Sequence, residues 1–361
     1  MSPCWTTVQG ASPVVRVKTQ VHGDSHCGHG PEGLALDSRR AAIYRAVFLA
    51  AGIYNILFGL WAILWPDAFF SALGLEAPPH LAFWSALGMV VGVYGLAYLY
   101  AARHMDRARP FIAIGLTGKL LGPAGWLLAV LADGLPAQTF ILIAFNDLLW
   151  WLPFSLFLLE GTRLGAGVRA LAPLACAVSN ALAATALLLV LRQGTEAEPN
   201  AGARATYVAS HLLEWRIGWF VWIAAGTSLV AFYAWWAARL PNWPLGLPGA
   251  AVGALGLVVD RLGLSLLVGS APEGLEAAAP LVTLSSAVLG NGLYTAGGAI
   301  LTFLTDSLSP LLRAWAWVLW TTGLVLSVAS LLEWTLVVIA GSVLLFALLP
   351  PWCILVGKRL R

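Results

Sequence analysis

FIAIGLTGKLLGPAGWLLAVLA, residues 111–132, contains one charged side chain, Lys119, in an otherwise apolar run. A helix rises about 1.5 Å per residue, so a run of this length covers the roughly 30 Å of hydrocarbon in a bilayer. Barrel strands cross in about half that length and alternate in polarity. Similar runs recur at about 42–65, 81–101, 139–159, 168–191, 213–237, 246–269, 278–303, 310–331 and 334–356. The expected fold class is all-α, a polytopic transmembrane helical bundle of about ten spans.

The composition agrees. The chain has 361 residues, of which 60% are hydrophobic and 10% charged, whereas soluble domains carry about 25% charged residues. The formal charge of +3 is scattered over short loops. No compact basic patch forms, so no nucleic-acid partner is expected. Cys4, Cys27, Cys176 and Cys353 show neither CxxC spacing nor a disulfide framework. Cys176 and Cys353 lie in apolar runs and read as small packing residues. Trp61, Trp65, Trp243 and Trp352 sit near run ends and read as an interfacial aromatic belt.

Residues 1–40 are polar and lack the apolar core of a signal peptide, so they read as a disordered cytoplasmic tail. The tail holds His22, His26, Cys27 and His29. Without a rigid scaffold that group reads as a loose adventitious binder and not as a metal site. Elsewhere His80, His104 and His211 stand only at span margins. That pattern argues against a haem-binding bundle or a histidine-box enzyme. No G-x-S-x-G elbow and no H-E-x-x-H motif occurs. No cofactor is expected.

Charge sets the expected orientation. With ten spans, Arg39, Arg40, Arg103, Arg107, Arg109, Arg163, Arg169, Arg239, Arg313, Lys358, Arg359 and Arg361 share one side, and most acidic loops share the other. The positive-inside bias then places both termini in the cytoplasm. The hinge near 331–333 is the weakest boundary between spans, and a nine-span reading follows if one of the last two is re-entrant. Loop lengths divide the chain into a four-span unit, 41–160, and a six-span unit, 167–361. Within the second, AVSNALAATALLL from Ala177 echoes AVLGNGLYTAGGAIL from Ala287. Inverted three-span repeats are a transporter device, although apolar sequence built of Ala, Leu, Val and Gly also generates such short echoes.

Polar residues inside the hydrocarbon are the functional candidates, because an unpaired charge there costs on the order of 2.5–3.5 kcal/mol. Counting helical rise, Lys119 and Asp147 differ in height by about 6 Å, within reach of a lysine stem. They are expected to face each other, with Asn55, Tyr94 and Asn146 on the same interior wall. In the six-span unit, Asn180, Asp260, Arg261 and Asn291 are the candidates for a second cavity. Adjacent helical positions diverge by about 100°, so Asp260 and Arg261 are expected to find partners on other spans. Gly88, Gly92 and Gly95, like Gly118, Gly122 and Gly125, are spaced for close helix packing. Pro123 is expected to kink the helix just above Lys119.

The strings YNILFGLWAILWPDAFFSALGL, GMVVGVYGLAYLYAAR, GLTGKLLGPAGW and FNDLLWWLPFSLFL carry a resemblance. Residues 44–159 resemble a family of small bacterial four-span membrane proteins of unknown function. The G-K-x-L-G-P and N-D-L-x-W-W strings are its most specific parts. The resemblance implies a four-helix unit with Lys119, Asn146 and Asp147 as characteristic polar residues, and it implies no chemistry. The six-span remainder resembles other bacterial membrane proteins only vaguely.

The leading functional expectation is a small-solute or ion-coupled transporter, or an accessory to one, in a bacterial inner membrane. A structural or assembly protein without a substrate is one alternative. An intramembrane enzyme acting on lipid or isoprenoid material is another. Expected partners are membrane lipids, a small solute or proton, and a second copy or another membrane protein.

Overall fold

Nine helices among the described residues are long and apolar enough to cross a membrane. The first seven are α1 (Ser38–Leu64), α2 (Leu81–Arg103), α3 (Met105–Ala132), α4 (Ala137–Leu158), α5 (Ala172–Gly194), α6 (Leu212–Ala237) and α7 (Trp243–Gly269). An eighth stretch, α8, runs helically over residues 275–303. It is more polar, with Thr283, Ser285, Ser286, Asn291 and Thr295 along it. Helices α9 (Pro310–Leu331) and α10 (Thr335–Arg359) complete the apolar set. The computed structural model describes residues 37–360, and no strand occurs among them. The chain is an all-α, multi-pass membrane bundle.

Side chains tie the ends of α8 to opposite ends of this bundle. Glu276, in its first turn, pairs with Arg204 in the segment joining α5 to α6. Ser307, just past its last turn, accepts from Arg359 at the end of α10, at 2.9 Å. Two further bonds keep the ends in register. Arg39 at the start of α1 donates to the Ala238 carbonyl after α6, at 3.0 Å, and Arg216 near the start of α6 donates to the Val268 carbonyl near the end of α7, also at 3.0 Å. The more polar stretch therefore traverses the bundle like its neighbours.

Local sequence sets the helix ends. Asp37, Thr162, Asn200 and Ser309 each accept a backbone N–H two or three residues ahead and so cap a first turn. Glu333 takes a φ of 57° between α9 and α10, an uncommon left-handed conformation for a non-glycine residue. The chain reverses there, and Leu326 of α9 packs beside Gly341 of α10. Two connections are more structured than their composition suggests. Residues 163–170 form a separate helix that ends at Leu171, ahead of Pro173 in the first turn of α5. The polar link 195–211 contains the helix Ala201–Ser210.

Small residues bring α1 and α2 together. A Cβ on Gly59 would stand 2.6 Å from the Gly88 carbonyl oxygen, and one on Gly95 would stand 2.8 Å from that of Gly52. Such backbone contact lets helices gain dispersion energy in lipid, where no hydrophobic force joins them. The α3 glycines behave differently. Gly115 packs against Tyr98 and Gly122 faces Asp147, but Gly118 and Gly125 meet nothing within 4 Å, so of the expected trio 118, 122 and 125 only Gly122 packs closely.

The tryptophans also depart from a simple belt. Trp65 is exposed, but Trp352 is fully buried with Trp236, Phe232 and Trp320 in a core shared by the later helices. Several indoles donate across helices: Trp352 to the Leu312 carbonyl (3.1 Å), Trp215 to that of Leu267 (2.9 Å), and Trp320 to Thr302 (2.8 Å). Their polar edge satisfies freed backbone or hydroxyl groups while the ring fills the core. A further core joins α4 to the later helices, with Phe140 and Ile143 packed among Leu191, Trp215, Trp219 and Leu264.

Candidate functional site

Two irregularities in neighbouring helices build the first polar cluster. Pro123 lies inside α3 and has no N–H to give the Lys119 carbonyl one turn back. The Trp151 indole of α4 donates to that carbonyl instead, at 2.8 Å. In α4, residues Ala144–Leu148 widen into a π-turn, a feature frequent at functional sites. There the Asn146 carbonyl accepts from the Lys119 ammonium. The ammonium also lies 5.8 Å from the Tyr98 ring centre and 5.9 Å from that of Trp150, which favours a desolvated cation.

Lys119, Asp147 and Asn55 are all buried. Asp147 lies against Gly122 and takes a bond from the Asn146 amide at 3.3 Å. It is within electrostatic range of Lys119, Tyr54 and Tyr98. No ion pair closes between Lys119 and Asp147, although sequence heights suggested that they face each other. The physical reason is the π-turn, which offers the ammonium a carbonyl before it reaches the carboxylate. Asn55 Oδ1 and Asn146 Oδ1 are buried and meet no protein donor. Tyr94 sits at the margin, its ring 6.4 Å from that of Tyr98.

The second cluster lies where α6, α7 and α8 meet. Asp260 accepts from the Tyr294 hydroxyl at 3.1 Å, and the Asp260 carbonyl accepts from Ser286 at 3.2 Å. Gly290 ends another π-segment, Thr283–Gly290, and packs against Asp260. Arg261 turns away toward α6. Its Nη2 donates to the Ile223 carbonyl, at 2.6 Å, and to the Thr227 hydroxyl. The two charges thus find partners on other spans, as their 100° divergence requires. Arg261 Nε and Nη1 are buried and meet no protein acceptor.

The two asparagines expected beside them are engaged elsewhere. Asn180 donates to the Cys176 carbonyl of its own helix at 2.9 Å. Asn291 donates to the Gly323 carbonyl (2.7 Å) and to Ser327 (3.0 Å), so it joins α8 to α9. Neither contributes to the Asp260–Arg261 group through a hydrogen bond.

Two arrangements escaped the sequence reading. Buried Glu160, at the end of α4, accepts from Tyr44 (2.8 Å), Arg169 (2.7 Å) and Arg40 (3.2 Å), while its own carbonyl accepts from Arg109 (2.6 Å). An acid set among arginine-rich loops was the available signal. Cys176 and Cys353, far apart in sequence, touch at 3.7 Å between sulfurs inside the core shared by the later helices. Among the described residues no group of three or more His, Cys, Asp or Glu side chains gathers as a metal site. The His22, His26, Cys27 and His29 tract lies outside the described residues.

The chain matches no family model, no curated protein and no solved structure.

Proposed function

We propose that this membrane protein transports a small solute, coupled to a proton or another ion. One observation carries the reading: each unit buries a cation and a carboxylate in mid-helix without closing them into an ion pair. Intramembrane charges are costly and mark ion or substrate pathways. A helical irregularity adjoins each group, as in transporters that bind at broken helices. Asp147 and Lys119 serve as the coupling pair, and Asp260 and Arg261 belong to the substrate region. The positive-inside rule puts the arginine-rich end and both termini in the cytoplasm. The resemblance of the first four spans favours a bacterial inner membrane.

A scaffold role is the competing reading. It is favoured by Lys119 and Trp151, which satisfy backbone carbonyls and so clasp α3 to α4. The test compares exported and retained metabolites in cells overproducing the wild type, D147N or D260N. A reproducible solute difference that both variants abolish supports transport. Unchanged solute profiles with well-folded protein favour the scaffold.

A further inference from the structure

We propose that Arg261 is the binding group for a small monoanion that enters from the end of the bundle bearing Arg204 and Glu276. The inference rests on the transport reading and names the substrate class of that site. A guanidinium has five N–H donors. In Arg261 the Ile223 carbonyl and the Thr227 hydroxyl engage Nη2, which leaves the donors of Nε and Nη1 without protein acceptors. The side chain is only 2% exposed. Asp260, the neighbouring carboxylate, is directed to Tyr294 and forms no ion pair with it. A buried guanidinium with open donors is a receptor for an anion that brings its own acceptors.

A cleft opens one helical turn short of it. An open cleft with about 90 Å³ of free space lies between the 201–210 helix, α6, α7 and α8. The Arg204–Glu276 pair stands at its mouth, and Trp219, Leu267 and Val282 line its inner part. The Trp219 indole N–H is itself buried without an acceptor. Ile223, which holds the guanidinium, follows one helical turn beyond Trp219, about 5–6 Å along α6. Ser285 and Ser286 follow Val282 on α8 and crowd Gly263, one turn from Leu267. Unfilled donors therefore occur at two successive levels, Trp219 and then Arg261. The lining of the cleft includes Trp219, Leu267 and Val282 and does not include Arg261.

The test uses the full chain in lipid nanodiscs, titrated with sodium acetate and sodium nitrate at constant ionic strength and followed by tryptophan fluorescence and calorimetry. Saturable binding of at least one anion is expected. R261M should weaken it by about tenfold or more, the factor for losing one hydrogen bond to a charged group. W219F, which removes only the indole donor and some volume, should weaken it less. Binding that R261M leaves unchanged overturns the proposal, as does the absence of saturable binding by folded wild type. If R261M does not fold, unaltered binding by W219F overturns it. Saturable binding without anion flux into proteoliposomes would retain the site and overturn the transport reading. Flux of another solute without anion binding would do the reverse.

Discussion

The Lys119 ammonium of α3 donates to the backbone carbonyl of Asn146 in α4, and the Lys119 carbonyl receives the indole N–H of Trp151 from the same helix. Each bond answers a defect in a ladder. Pro123 removes the N–H that the Lys119 carbonyl would take, and the π-turn disturbs the register around Asn146. Together they clasp two helices where the Lys119 side chain is buried.

The clasp predicts a non-additive pair of substitutions. In the wild type, W151F leaves the Lys119 carbonyl without a donor and should cost about 1–3 kcal/mol. P123A restores an intrahelical N–H to that carbonyl. In its background W151F should cost clearly less, leaving mainly the loss of ring packing. Thermal unfolding of the four proteins gives the coupling. Equal costs in both backgrounds would show that the indole does not answer the proline.

Lys119 and Asp147 should be coupled through space, not by contact. K119M and D147N should each lower stability, because each leaves the other charge less compensated at depth. The double variant should be more stable than the summed losses by about 0.5–3 kcal/mol, the range for interacting sites. If it is stable but solute movement is lost, Asp147 also serves transport. Strictly additive losses would place the two groups outside each other's field.

Glu160 orders a second series. E160Q keeps the shape and leaves two arginines facing a neutral amide, so it should cost about 3–5 kcal/mol, as for a broken buried pair. R169Q and Y44F should cost less, and R40Q should fall within about 1 kcal/mol, since Arg40 is 45% exposed and its pair is largely screened. Chemical or thermal unfolding in one detergent ranks the four. An E160Q protein no weaker than R40Q would remove the carboxylate from its central place.

Glycines of one sequence pattern should differ sharply. A Cβ on Gly88 would stand 2.5 Å from the Ala62 Cβ and 3.2 Å from the Gly59 oxygen, whereas one on Gly118 meets open space. G88A should therefore destabilise by about 1–3 kcal/mol through overpacking. G118A should be neutral, or stabilising by up to about 1 kcal/mol through helix propensity. Similar effects for both would mean that α1 and α2 are not in backbone contact.

These residues mark what was legible beforehand. Apolar run length is fixed by the bilayer, so nine of the ten expected spans and the Glu333 hinge could be read directly, while residues 275–303 are helical but fall outside the nine most apolar helices. Helical rise alone put Lys119 and Asp147 at nearby depths. Their partners could not be read, because a π-turn moves a carbonyl without a sequence marker of its own. Pro123 did announce a freed carbonyl at Lys119, but not that Trp151 would take it. Glu160 with its arginines, and Cys176 with Cys353, join segments that only tertiary packing brings together. Spacing placed Gly118 and Gly88 in one class, and the side of the helix that meets a neighbour separates them.

Topology gives the last prediction and decides the standing of α8. In a variant lacking native cysteines, single cysteines replace exposed Glu76, Asp106, Arg163, Pro199 and Asp306 in the connecting segments. An impermeant thiol reagent outside intact cells should label positions 76 and 199 and spare 106 and 163, because the positive-inside bias keeps the arginine-rich end in the cytoplasm. Position 306 follows α8 and separates two counts. If residues 275–303 cross the bilayer, as the Arg204–Glu276 and Arg359–Ser307 tethers at their two ends imply, position 306 is spared. Labelling at 306 together with 76 and 199 would leave only the nine more apolar helices as spans. Labelling at 106 and 163 but not at 76 would instead reverse the whole orientation.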